Sequence, residues 1–275
     1  MSERKAASQA SAIHPFVDVA GPIGLAHRGG GREAAENSMS AFRNAAAQGF
    51  NFFETDVRAT SDGKVMVFHD AELSRVTDRV GRISALPYAE VKRAKIGNAD
   101  KVMRLDDLLD EFPEAFLNID VKDDHSVEPF VKLIKRRKAQ QRICVATFSA
   151  TRLRRLRSEL GSEVATSLAP PEVAGLIAYS RLGPLSRIAG MTFPQSAACV
   201  QVPISKGGVR IITRAFISAA HRRNLKVHVW TINDEQVMRA LLDMGVDGIV
   251  TDRPTVLARV LRSYERKAIA TASAG

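Results

Sequence analysis

Short apolar runs recur near residues 23, 51, 116, 142, 164, 198, 226 and 248, and helical patterns separate most of them. That alternation constrains the fold more than any other feature, because parallel strands need a long crossover, usually a helix, to join them. Eight βα units in 275 residues predict an α/β fold of the TIM (β/α)8 barrel type. A doubly wound sheet is the alternative. Against it, Gly29, Gly30 and Gly31 follow the first run without the spaced glycine fingerprint that a dinucleotide site there would need.

Local signals fill in this frame. Glu36 to Gln48 reads as a helix capped by Asn37 or Ser38, with an apolar stripe including Met39, Phe42 and Ala45, and Gly49 closing it. Thr213 is placed to cap a later helix, and Asn233-Asp-Glu-Gln236 resembles a capping box. Residues 71–110 are the least regular stretch and are expected to form a small insertion after the second barrel strand. Residues 1–20 are expected to be a loosely held lead-in, 21–265 the barrel domain and 266–275 a tail.

The run Phe50 to Val57 places Glu54 and Asp56 two apart, on the face they share with Phe52. Asp120 falls in the run Phe116 to Val121, the expected neighbouring strand. Unpaired carboxylates are costly in an interior. One divalent cation, Mg²⁺ or Ca²⁺, would offset that cost through oxygen ligands alone; pairing with Arg28 or Lys122 is the other solution. His27 and His69 each end a short apolar run and suit acid–base work near neutral pH. Lys122, Trp230 and Asp252 also stand at strand C-terminal ends, where a barrel builds its active site. Two histidines, flanking cations and a divalent ion describe chemistry at phosphorus on a small anionic substrate. Trp230 is read as an apolar wall or an ordinary core aromatic, and the triple glycine first as a plain turn, with backbone N–H groups for a phosphate as the alternative. His228, two residues before Trp230, is placed to face the same cavity.

The formal net charge of +10 favours anionic partners. Aromatic residues are only 6% and no nucleic-acid-reading module is recognisable, so no nucleic acid is expected. Cys144 and Cys199 lie in apolar runs and are expected to be buried free thiols. No stretch has the length of a membrane span and the first 21 residues hold no apolar core, so a cytoplasmic location is expected.

The ordered set HRGGGREAAENSMSAF, FFETDV, DGKVMVFHDAELSRVT, NIDVK, VHVWTIN and GVDGIVTDRP resembles the glycerophosphodiester phosphodiesterase family over about residues 23 to 260. The resemblance implies a TIM-type barrel and metal-dependent hydrolysis of glycerophosphodiesters to sn-glycerol 3-phosphate and an alcohol. It implies His27 and His69 as the catalytic pair and Glu54, Asp56 and Asp120 as metal ligands. Arg28 and Lys122 would contact phosphate, with Trp230 near the glycerol. It also implies a route in which the substrate's own glycerol hydroxyl attacks first and water then opens a cyclic phosphate. Three positions depart from the family pattern: Asp120 stands for the usual Glu, Ala35 for Pro and Ser38 for Thr. The alternatives are a lysophospholipase D-like or phospholipase C-like enzyme releasing a cyclic phosphate, and, more remotely, a non-enzymatic anion-binding protein. An exposed apolar rim in residues 71–110 would favour a lysophospholipid substrate.

Overall fold

The computed structural model describes residues 13–97, 99–182 and 193–272, with side chains as far as residue 266. Eight parallel strands close on one another: β1 (Ile23–His27), β2 (Phe52–Ala59), β3 (Phe116–Val121), β4 (Ile143–Ala146), β5 (Ala165–Ser167), β6 (Ala197–Val202), β7 (Lys226–Val229) and β8 (Gly248–Thr251). Each pairs with its neighbours in sequence order, and β1 completes the ring by pairing with both β2 and β8. This is the predicted (β/α)8 barrel, with all eight expected strands in place. A further strand, Val65–Val67, runs antiparallel to β2. Among the described residues no helix is long and apolar enough to cross a membrane.

One helix packs outside after each strand: α1 (Met39–Ala47), α2 (Leu105–Glu111), α3 (Val127–Arg137), α4 (Ala150–Leu160), α5 (Pro170–Leu182), α6 (Arg214–His221), α7 (Glu235–Asp243) and α8 (Pro254–Ala272). Their caps divide the work that the sequence left ambiguous. Ser38 Oγ accepts from the Ala41 N–H at 3.1 Å and caps α1, while Asn37 takes a left-handed φ of +56° and turns its amide inward. Asp234 caps α7, so Asn233 is free to face the barrel mouth. Alternate strand positions feed two apolar layers. Phe53, Val57, Ile119 and Val145 face the helices, whereas Leu25, Phe52, Cys144, Cys199 and Val250 fill the barrel interior.

Three expected boundaries change. Of the lead-in, residues 1–12 lie outside the described residues, but residues 13–20 are not loosely held. Phe16 is fully buried and plugs the barrel floor, with its ring 5.5 Å from that of Phe52, 6.1 Å from Phe116 and 6.3 Å from His228. At the other end α8 runs through to Ala272, past the boundary expected at 265. The excursion after Phe68 builds its own small core from Phe68, Leu73, Ile83, Val91, Ile96 and Val102. It returns to the barrel at α2, which belongs to the ring of barrel helices rather than to the insertion.

Candidate active site

A cavity of about 600 Å³ opens at the C-terminal ends of the strands. The residues singled out from sequence, His27, Arg28, Glu54, Asp56, His69, Asp120, Lys122 and Trp230, all line it. Strand register brings them together. His27 stands opposite Glu54 across β1 and β2, and Asp56 stands opposite Asp120 across β2 and β3. With neighbouring strands about 4.8 Å apart, three carboxylates converge on one wall.

Cations bind that wall tightly. Lys122 Nζ lies 2.9 Å from both Asp56 Oδ1 and Asp120 Oδ2. Arg28 Nε is 3.0 Å from Asp56 Oδ2, and Asn37 donates to the same oxygen at 3.3 Å. Burial pushes the Asp56 pKa up, but Lys122 and then Arg28 outweigh it and hold the carboxyl below its usual range. At Asp120 burial prevails over Lys122 and the pKa is raised. Burial of Glu54, opposed by His27 and reinforced by Asp56, lifts its carboxyl to about 7.

Each histidine is braced by an aspartate. His27 Nδ1 lies 2.6 Å from Asp252 Oδ1, and Asp252 is held in turn by Asn233 Nδ2 at 2.9 Å and by its own N–H on Asn233 Oδ1 at 2.8 Å. His69 Nδ1 lies 2.7 Å from Asp70 Oδ1. With Nδ1 engaged, Nε2 is the nitrogen left for a proton in transit. Burial disfavours protonation of His27, but Glu54 and Asp252 outweigh it and raise the pKa.

A second chain of contacts joins the two halves of the site. Arg75, in the insertion, donates to Asp70 Oδ2, to Glu36 Oε1 at 2.6 Å and to Glu36 Oε2 at 3.1 Å. Glu36 also accepts from Arg28 Nη1 at 3.0 Å. His69 and Arg28 are thus tied through Asp70, Arg75 and Glu36. Sequence reasoning singled out none of these three as site residues, nor Asn37 or Asn233. Their polar side chains lie in loops or, for Arg75, in a single 3-10 turn (Leu73–Arg75), where periodicity says nothing about direction.

One alternative is set aside and one expectation is corrected. The triple glycine does not cradle an anion with Gly29 or Gly30, because their N–H groups donate to Ala26 O and His27 O. Their smallness serves packing: a Cβ would meet Ala41 at 2.8 Å from Gly29 and Pro254 at 2.7 Å from Gly30. His228 is not a cavity wall either. It is buried lower in the barrel, against Phe16 and 3.4 Å from Gln201 Nε2. Cys144 and Cys199 are buried free thiols with sulfurs 3.7 Å apart, as expected.

Among the described residues no three acidic, histidine or cysteine side chains form a closed metal-ligand set, and Lys122 Nζ bridges two of the carboxylates. The donor chemistry nevertheless fits a hard divalent cation. Glu54, Asp56 and Asp120 are buried and offer oxygen only, the donor type that such a cation takes. The site fits an anion too. Arg28 and Lys122 both line the cavity as cations, although Arg28 Nε already faces Asp56 Oδ2 at 3.0 Å.

The other half of the cavity is different in kind. Phe148, Leu168, Val173, Ile177, Val209 and Trp230 line it, with the Phe148 and Trp230 rings edge to face at 6.0 Å. The apolar rim therefore lies over β4 to β7 and α5, not in residues 71–110.

A barrel that gathers two aspartate-braced histidines, three carboxylates and two cations at its C-terminal mouth presents the groups that chemistry at phosphorus uses. Residues 27–256 match the glycerophosphoryl diester phosphodiesterase family, and the chain belongs to that family. It is 38% identical over 248 residues to probable glycerophosphodiester phosphodiesterase 2 of Mycobacterium tuberculosis, covering 90% of this chain and 93% of the relative. It is 26% identical over 270 residues to rat lysophospholipase D GDPD1, covering 87% and 86%. Among solved structures, an Oleispira antarctica phosphodiesterase in complex with the product sn-glycerol-3-phosphate shares the fold with a TM-score of 0.71 at 23% identity, covering 88% of this chain and 97% of that one. The chain is an enzyme, a glycerophosphodiester phosphodiesterase.

Proposed function

We propose that the enzyme hydrolyses glycerophosphodiesters to sn-glycerol 3-phosphate and an alcohol by divalent-metal-dependent, two-histidine catalysis. One observation carries the reading: His27 and His69, each braced at Nδ1 by an aspartate, face one cavity whose wall also presents Arg28 and Lys122. The Arg28 guanidinium and the Lys122 ammonium bind the phosphate and hold it between the imidazoles. One imidazole takes the proton from the attacking hydroxyl; the other gives a proton to the departing alkoxide. Asp252 and Asp70 keep both rings oriented throughout. Glu54, Asp56 and Asp120 would hold Mg²⁺ or Ca²⁺, which when bound polarises the phosphoryl oxygen.

Leaving-group dependence tests the histidine roles. With glycerophosphocholine, His27→Ala and His69→Ala should each lower kcat about 10²- to 10⁴-fold. With a glycerophosphate ester of p-nitrophenol, whose leaving oxygen needs no proton, one variant should recover most of its rate. Equal losses on both substrates would contradict the division of labour.

A second reading, a lysophospholipid substrate, is favoured by the apolar half of the cavity, which a glycerol phosphate with a small polar alcohol would leave unfilled. The rat relative's name, lysophospholipase D, accords with it. Comparing kcat/KM for glycerophosphocholine and monoacyl glycerophosphocholine decides between the two.

A further inference from the structure

Large exposed apolar side chains are few among the described residues, and two of them stand at this one opening. Phe148, just after β4, is 64% exposed, and Val209 is 42% exposed. Both also line the cavity. Val209 sits on a small hairpin that pairs Ser205–Lys206 with Val209–Arg210 and with no other strand. Gly207 and Gly208, at φ +56° and +77°, make its two-residue turn. Every residue from 205 to 210 is exposed. A two-stranded ribbon gains little stability alone, so an unpartnered valine at its tip is not explained by folding.

Charge around that tip is one-sided. Lys206 stands directly opposite Val209 in the hairpin register, and Arg210 follows it. Among the described residues neither cation forms an ion pair with a carboxylate. The nearest carboxylates of the site, Glu54, Asp56 and Asp120, are buried within the cavity. The whole chain carries a formal charge of +10.

We propose that the Phe148 side and the 205–210 hairpin form a docking surface for a lipid layer bearing anionic headgroups. Phe148 and Val209 enter the headgroup boundary, and Lys206 and Arg210 meet the phosphates, each cation adding about fivefold to partitioning. Docking in this pose sets the cavity mouth against the layer, so that a chain-bearing phosphodiester passes from lipid into the apolar half without crossing water. The inference rests on this mouth being the entrance to the active site.

Vesicle sedimentation of the full chain tests it without any turnover. Phosphatidylcholine vesicles with and without phosphatidylglycerol are the probe, at low salt and at about 0.5 M salt, where the screening length falls below 5 Å. Wild type is expected to sediment with the anionic vesicles and to weaken as salt rises. The Phe148→Ser/Val209→Ser variant should bind at least about tenfold more weakly, and Lys206→Glu/Arg210→Glu should lose the preference for anionic lipid. Unchanged melting temperatures would show that both variants fold. Wild type remaining in the supernatant would overturn the proposal, as would equal binding by Phe148→Ser/Val209→Ser, which would leave net charge as the sole attraction. Hydrolysis of soluble glycerophosphocholine separates the two ideas: turnover without vesicle binding sinks the surface alone, and vesicle binding without turnover sinks the catalytic reading alone.

Discussion

Arg75 touches neither histidine, yet through Asp70 and Glu36 it braces both His69 and Arg28. Arg75→Ala is expected to lower kcat about ten- to hundredfold with little change in KM, as loss of an orienting partner does. Added guanidinium should restore part of the rate, and Arg75→Lys should restore less than its charge suggests, because an ammonium lacks the fork. The same contacts carry a pH signature. Burial opposes ionisation of Glu36 and Asp70, but Arg75 outweighs it and both pKa values are depressed. Their contribution to stability is therefore present above the unfolded carboxylate range and lost as pH falls through the folded values. The melting temperatures of wild type and Arg75→Ala should differ at neutral pH and converge as pH falls through the folded values. At the carboxylate wall, Asp120→Ala should weaken Mg²⁺ or Ca²⁺ binding about tenfold or more, read as a smaller metal-induced rise in melting temperature without substrate.

At the scale of elements, the insertion and the barrel floor decide how well these side chains are held. Phe16 comes from outside the eight βα units, but it closes the floor against Phe52 and Phe116. Phe16→Ala is expected to cost about 3–5 kcal/mol in chemical denaturation while leaving the kcat of the folded enzyme unchanged, since Phe16 is remote from the cavity. The strands and their helices were legible in the sequence because each has its own period and punctuation. Phe16 was not, because one aromatic in a polar segment carries no periodicity. The insertion read as irregular because its core joins Phe68, Leu73, Ile83 and Ile96 across turns and short helices. Glu54, Asp56 and Asp120 were legible because strand alternation fixes their direction. Asp70, Arg75 and Glu36 were not, since their partnership is made only by the insertion folding back over the barrel mouth.

Across the whole molecule, one cavity joins a charged wall to an apolar one. β1 to β3 carry the carboxylates and cations of one wall; β4 to β7, with α5 and the 205–210 hairpin, carry the apolar side chains of the other. If the charged wall performs metal-dependent hydrolysis at phosphorus, turnover needs both the metal and the two histidines. Phosphorus NMR of the purified enzyme with glycerophosphocholine tests it most directly, first after chelation and then with Mg²⁺ or Ca²⁺ restored, beside His27→Ala and His69→Ala. A glycerol 3-phosphate resonance is expected to grow only with metal and to fail to grow in either variant. A resonance that grows equally in chelator, or in both histidine variants, would contradict it.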